Sequence, residues 1–197
     1  MLYFSSKFIW LGTWGEGLVL RDEQSGAFVK VNTDNELIKY IWDLKLLDDK
    51  TLLVAANRGL VKIDVEGLAS LKTSFPEHNF PSENHFTAFT KNTKGDTWVG
   101  TWKGGLYRIS STTGELISYN KVDTKAHYVQ SIHYNNDELW VGTVHSGLIR
   151  ISDPNGKATI RTYSQETSDL SSDFVSALFE GIDRKLWIGT SGGGNNI

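Results

Sequence analysis

The sequence predicts an all-β fold, a β-propeller fragment of about four four-stranded antiparallel blades plus the first half of a fifth. Three observations carry this expectation. A Trp-x-Gly-Thr-type motif recurs five times, each of the first four copies runs into the same Gly-Leu turn and strand, and no stretch sustains helical periodicity.

The motif copies are Trp10-Leu11-Gly12-Thr13, Leu53-Val54-Ala55-Ala56, Trp98-Val99-Gly100-Thr101, Trp140-Val141-Gly142-Thr143 and Trp187-Ile188-Gly189-Thr190. Their third residues lie 43, 45, 42 and 47 residues apart. That period, filled only by strand-like segments, suits a four-stranded blade. The strands that follow the first four copies begin Gly17-Leu18, Gly59-Leu60, Gly105-Leu106 and Gly147-Leu148. A later glycine, Gly26, Gly114 or Gly156, lies 14 residues after its anchor, and Gly67 lies 12 after its own.

In the fourth copy the strands read His127–Asn135, Glu138–Thr143, Gly147–Ser152 and Ala158–Ser164, bounded by Asn/Asp/Gly turns. Asp153-Pro154-Asn155-Gly156 reads as a turn in which Pro presets φ and Gly takes a positive φ. The apolar run Glu36–Leu47 falls, by register, on an inner strand. One segment of blades results, with approximate boundaries 1–35, 36–80, 81–122, 123–168 and a partial 169–197.

A blade has two faces, and neither is stable until a neighbour covers it. The motif Trp offers roughly 150–250 Å² to that contact, at about 25 cal/mol per Å² buried. The Gly leaves room for close approach. The Thr is a strand residue whose hydroxyl is available to tie the turn.

Composition narrows the function. The 197 residues are 39% hydrophobic and 22% charged, with seven Trp and 19 Gly, as a turn-rich globular chain requires. A net charge of −3 without a Lys/Arg cluster disfavours nucleic acid as a partner. The absence of cysteine excludes disulfides and thiol catalysis. No apolar run nears the ~20 residues that span a bilayer. The start, Met1-Leu2-Tyr3-Phe4, lacks a signal-peptide pattern and reads as mid-strand, so the chain is expected to be cut from something longer.

Trp98–Glu115, Trp140–Gly156 and Leu186–Gly194 resemble the two-component regulator propeller repeat, and Asp169–Val175 resembles that family's connector into the next inner strand. In that family such repeats build seven-bladed propellers in the periplasmic sensor region of hybrid histidine kinases. The resemblance implies an extracytoplasmic sensor of a small saccharide, with the signal passed to a kinase outside this chain. It also implies, as partners, the remaining blades of a parent chain. The count of four and a half units departs from seven, and the last copy stops at Ile197 where a third strand should begin. Open blade edges invite self-association.

Alternation of turns places Trp14-Gly15-Glu16, Asn57-Arg58, Trp102-Lys103, Val144-His145-Ser146 and Ser191-Gly192 on one face. The connectors near Asn35, Asn84, His127 and Asp173 join them there. Sugars need an aromatic platform for their C–H faces and polar partners for their hydroxyls. Trp14, Glu16, Arg58, Trp102, Lys103 and His145 are the expected ligand-binding residues. The plain alternative is that both Trp residues merely pack over the neighbouring turn. The opposite face, with Lys94-Gly95-Asp96, Asn135-Asn136-Asp137 and Asp183-Arg184-Lys185, reads as bland.

No catalytic residue, metal or cofactor is expected. Gly189-Thr190-Ser191-Gly192-Gly193 matches a nucleophile-elbow pattern, but an elbow needs a strand-to-helix turn. The five histidines lack metal spacing and read as surface or turn residues. The expectation is a non-catalytic ligand-sensing domain, with a protein-interaction scaffold or a propeller lyase or hydrolase as alternatives.

Overall fold

The computed structural model describes residues 2–4, 8–31, 38–47, 50–57, 59–64, 73–74, 85–119 and 127–196. The chain divides into two compact units, Met1–Thr87 and Ala88–Ile197. Among the described residues no helix is long and apolar enough to cross a membrane.

The first unit holds two antiparallel four-stranded sheets. One is β1 (Leu2–Phe4), β2 (Phe8–Gly12), β3 (Leu18–Asp22) and β4 (Phe28–Lys30). The other is β5 (Ile41–Leu46), β6 (Thr51–Ala56), β7 (Gly59–Asp64) and β8 (Thr73–Ser74). The second unit holds three sheets. β9 (Phe86–Lys91), β10 (Thr97–Thr101), β11 (Leu106–Ile109) and β12 (Leu116–Ser118) form the first. β13 (Val129–Asn135), β14 (Glu138–Thr143), β15 (Leu148–Ser152) and β16 (Thr159–Tyr163) form the next. β17 (Val175–Glu180), β18 (Leu186–Thr190) and β19 (Gly194–Asn196) form the last. Every sheet follows chain order, so the all-β blade expectation holds.

The short β19 is a third strand in the fifth copy, paired through Ile188↔Asn196 and Thr190↔Gly194. The sequence reading stopped before it, because Gly192-Gly193-Gly194 carries no strand propensity. The ladder supplies what propensity lacks. Glu36–Leu47 also shortens: the strand starts at Ile41, and residues 36–37 lie outside those described.

Each sheet packs on the next of its unit through one repeated contact. A β-branched residue opening a blade's first strand sits over the motif glycine of the preceding blade. An added Cβ on Gly12 would lie 2.5 Å from Ile41 Cγ2, and one on Gly100 2.3 Å from Val129 Cγ1. One on Gly142 would lie 2.7 Å from Val175 Cγ1. The glycine therefore admits a neighbour's side chain rather than backbone alone, which corrects the sequence reading. Trp10 and Trp98 are almost wholly buried beside these contacts, while Trp187, in the last sheet, stays 40% exposed.

The motif threonine ties the turn as expected. Thr13, Thr101, Thr143 and Thr190 each donate Oγ1–H to the carbonyl of the glycine four residues on, at 2.7–3.0 Å. Thr13, Thr101 and Thr143 also accept a turn N–H, from Glu16, Gly104 and Ser146. The second copy needs no threonine, since Ala56 pairs directly with Gly59 and closes a two-residue loop. Thr143 is buried. Thr143→Val removes the hydroxyl's bonds to the Ser146 N–H and the Gly147 carbonyl, leaving that carbonyl the Thr143 N–H at 3.0 Å, and we expect a cost of about 1–3 kcal/mol in a denaturant titration.

The Asp153–Gly156 turn differs from its sequence reading. The positive φ is at Asp153 (49°), not at Gly156. Gly156 is required because a Cβ there would meet the Asp153 carboxylate at 2.3 Å. Asp153 tolerates the left-handed conformation because its short carboxylate bonds locally, accepting the Lys157 N–H at 2.9 Å.

The supposedly bland end is structured too. Asp96 is buried and accepts from the Ser111 N–H (2.8 Å), the Ser111 hydroxyl (3.0 Å) and Arg108 (3.5 Å). Burial opposes its ionised form, but these bonds, one from Asn92 and the Arg108 charge together hold its carboxyl below the usual range. A depressed folded-state pKa contributes stability above the unfolded value of about 3.9, lost as pH falls through the folded value. Acid unfolding followed by circular dichroism should therefore be less steep in Asp96→Asn than in the parent chain.

Candidate functional site

The turn after β10 carries Trp102 and Lys103. The Thr101 bonds fix it, and Gly105 leaves it at φ 80°. Trp102 meets Tyr128 edge-on, with centroids 5.7 Å apart, and Tyr128 meets the His145 ring edge-on at 5.5 Å. Val144 N–H donates to the Tyr128 carbonyl at 3.0 Å, fixing the β14–β15 turn beside that tyrosine. A row Trp102–Tyr128–His145 results, with Lys103 and His145 exposed and both larger rings half-buried.

The first unit repeats this pattern. Trp14 meets Tyr40 at 5.3 Å and Trp42 at 4.7 Å, both edge-on. Asn57 accepts the Trp42 indole N–H at 2.6 Å. Trp14, Tyr40 and Asn57 each lie 88 residues before Trp102, Tyr128 and His145. Trp14 remains 62% exposed despite its ring contacts.

Sequence-predicted residues therefore fall into two groups. Trp102, Lys103 and His145 come together in the second unit. Trp14 and Glu16 belong to the first, and Arg58 lies outside the described residues. Glu16 is bound at 2.7 Å by Lys30, whose hydrogen bond and charge lower the Glu16 carboxyl. The plain packing alternative is partly realised, because both Trp residues do pack on neighbouring rings. Tyr40 and Tyr128 were missed. Their shared repeat position was a usable signal, passed over because the connectors were read for polar residues.

Ser191 lies in the β18–β19 turn, its N–H bonded to the Phe174 carbonyl at 2.9 Å, with a strand following where an elbow would need a helix. His133 falls on the strand expected for it but is not a surface residue. It lies within β13, half-buried, and its Nε2 sits 2.9 Å from Glu180 of β17, which also accepts from Asn135 at 2.6 Å. Strand alternation carries it between sheets, which a spacing search for metal motifs does not test.

No protein-family model and no curated protein sequence matches the chain. Solved structures do. The extracellular domain of a proposed one-component system of B. thetaiotaomicron matches 98% of the chain with a TM-score of 0.80 at 18% identity. That of a proposed hybrid two-component system from the same organism matches 97% at 0.71 and 22% identity. The chain spans about a quarter of each, 26% and 25%. Virginiamycin B lyase of Staphylococcus aureus matches 99% at 0.72 and 17% identity, with 67% of the lyase covered. The shared feature is the propeller fold.

This corrects the expectation that the chain is not an enzyme. A lyase carries the same arrangement of sheets at a similarity within the range of the sensor domains. The fold gives no ground for excluding catalysis.

Proposed function

We propose that the chain is a ligand-binding propeller segment of an extracytoplasmic two-component sensor, and that its ligand is a small glycan-derived saccharide held along Trp102, Tyr128 and His145. The observation that supports this most is the recurrence of an aromatic row with a polar end in both units, on turns that the threonine bonds hold rigid. Aromatic edges and faces suit sugar C–H groups, and Lys103 and His145 suit hydroxyls or a carboxylate. Trp14 with Glu16, and Arg58 beside Asn57, form the corresponding candidate positions in the first unit. The sensor and extracytoplasmic parts of the reading draw on the likeness to the B. thetaiotaomicron domains.

Binding of an oligosaccharide panel by calorimetry tests it. Trp102→Ala should weaken the best ligand about tenfold or more, a loss of roughly 1.4 kcal/mol. Unchanged affinity in a folded variant contradicts the proposed site. Partner contacts follow from the last sheet, whose exposed Phe179 and Trp187 suit burial by a further blade of a parent chain or by a second copy.

A second reading, a lyase, is favoured by coverage: the chain spans 67% of the S. aureus lyase against about a quarter of the sensor domains. Chromatographic assay of virginiamycin B after incubation with the chain separates the two. A new product that disappears in His145→Ala supports the lyase; an unchanged antibiotic removes that substrate.

A further inference from the structure

The second unit holds a cavity of about 260 Å³ away from the Trp102 row, lined by Arg108, Ser118, Tyr119, Asn155 and Gly156 with Ile117, Pro154 and Ala158. It opens beside the β15–β16 turn, at the end of that sheet opposite the β14–β15 turn that carries His145. We infer that this cavity is a second binding site, for one neutral hexose-sized polyol.

Size sets the first limit. Pockets for drug-sized ligands measure roughly 300–1,000 Å³, so this smaller volume suits a single sugar ring and not an oligomer. The wall chemistry sets the second. Ile117, Pro154, Ala158 and the Tyr119 ring give an apolar side for C–H groups, while Ser118, Tyr119 and Asn155 bring hydroxyls and an amide. Asn155 is oriented across the sheets: its Oδ1 accepts from Arg108 at 2.9 Å, leaving its Nδ2 to donate. The Tyr119 ring is held edge-on against buried Trp98 at 4.9 Å, and no hydrogen bond engages its hydroxyl among the described residues.

Charge sets the third limit. Arg108 is the lining cation, and Asp96 faces it at 3.5 Å. Asp153, in the adjoining turn, adds a second carboxylate within electrostatic reach of Tyr119. An anion would meet no uncompensated positive charge here. A neutral ligand with several hydroxyls meets donors, acceptors and an apolar wall at no desolvation cost for a net charge.

Titrating the whole chain with glucose, galactose, mannose and glucuronate, and following the backbone N–H signals of Asn155 and Gly156, tests this. The expected result is a saturable shift with at least one neutral hexose and weaker binding of glucuronate. Tyr119→Phe should weaken that binding about fivefold, the size of one neutral hydrogen bond. Ser118→Trp, at an exposed rim position, should abolish it, and Trp102→Ala should leave it unchanged. No saturable shift with any hexose, tighter binding of glucuronate, or retention in Ser118→Trp overturns the inference. Loss in Trp102→Ala assigns the sugar to the other row and overturns it as well.

Discussion

Gly100→Ala is expected to destabilise the second unit by about 1–3 kcal/mol or more, the cost of forcing extra volume into a packed contact. Its new Cβ would meet Val129 at 2.3 and 2.8 Å and Ile132 at 3.0 Å. All three contacts are side-chain atoms, so Val129→Ala in the same chain should recover part of the loss, and a double-mutant cycle will read the coupling. Gly142→Ala is expected to resist such rescue, because the Val175 carbonyl lies 2.9 Å from its Cβ. Gly189→Ala meets nothing nearer than Ala177 and Ser176 at 3.4–3.8 Å and is expected to be neutral or slightly stabilising. Denaturant midpoints for the three single variants test the ranking. Equal costs at Gly100 and Gly189 would contradict the knob-over-glycine account of blade stacking.

Trp98→Ala is expected to be the most damaging single truncation, at about 3–5 kcal/mol. Trp98 has no solvent exposure and lies in a core with Leu106, Tyr119, Val129 and Leu139. Trp187→Ala, at the same repeat position but 40% exposed, should cost less than about 1 kcal/mol. The Trp98 indole N–H is buried without a partner among the described residues, so Trp98→Phe removes an unsatisfied donor along with apolar area. It should therefore fall well short of the alanine variant. Calorimetric melting of the set tests both statements, and comparable losses at Trp98 and Trp187 would refute them.

Much of this architecture was legible because the repeat is read by its neighbours. Trp, Gly and Thr each answer to a separate requirement, and the same requirement returns about every 44 residues. The strands of the fourth copy lie within two residues of their sequence boundaries for that reason. The partner of the glycine was not legible. Ile41, Val129 and Val175 are ordinary strand residues in sequence, and only packing shows that each fills the gap of the blade before. Asp96 was misread for the opposite cause: a turn acid looks solvated until Ser111, fifteen residues on and just past β11, folds back on it.

The candidate site was half legible. Trp102, Lys103 and His145 share turns that repeat register places together, whereas Tyr128, the ring that joins them, sits in a connector of variable length. The Arg108 cavity left no trace in the sequence, since its walls come from two sheets and its chemistry depends on which charges meet across them.

The most direct test of the proposed binding role is nuclear magnetic resonance of the intact chain, with indole and imidazole signals assigned, titrated with an oligosaccharide that it binds. The account predicts saturable shifts of the Trp102 indole and the His145 ring, with the buried Trp98 indole unmoved. Binding that leaves Trp102 and His145 unshifted would contradict it.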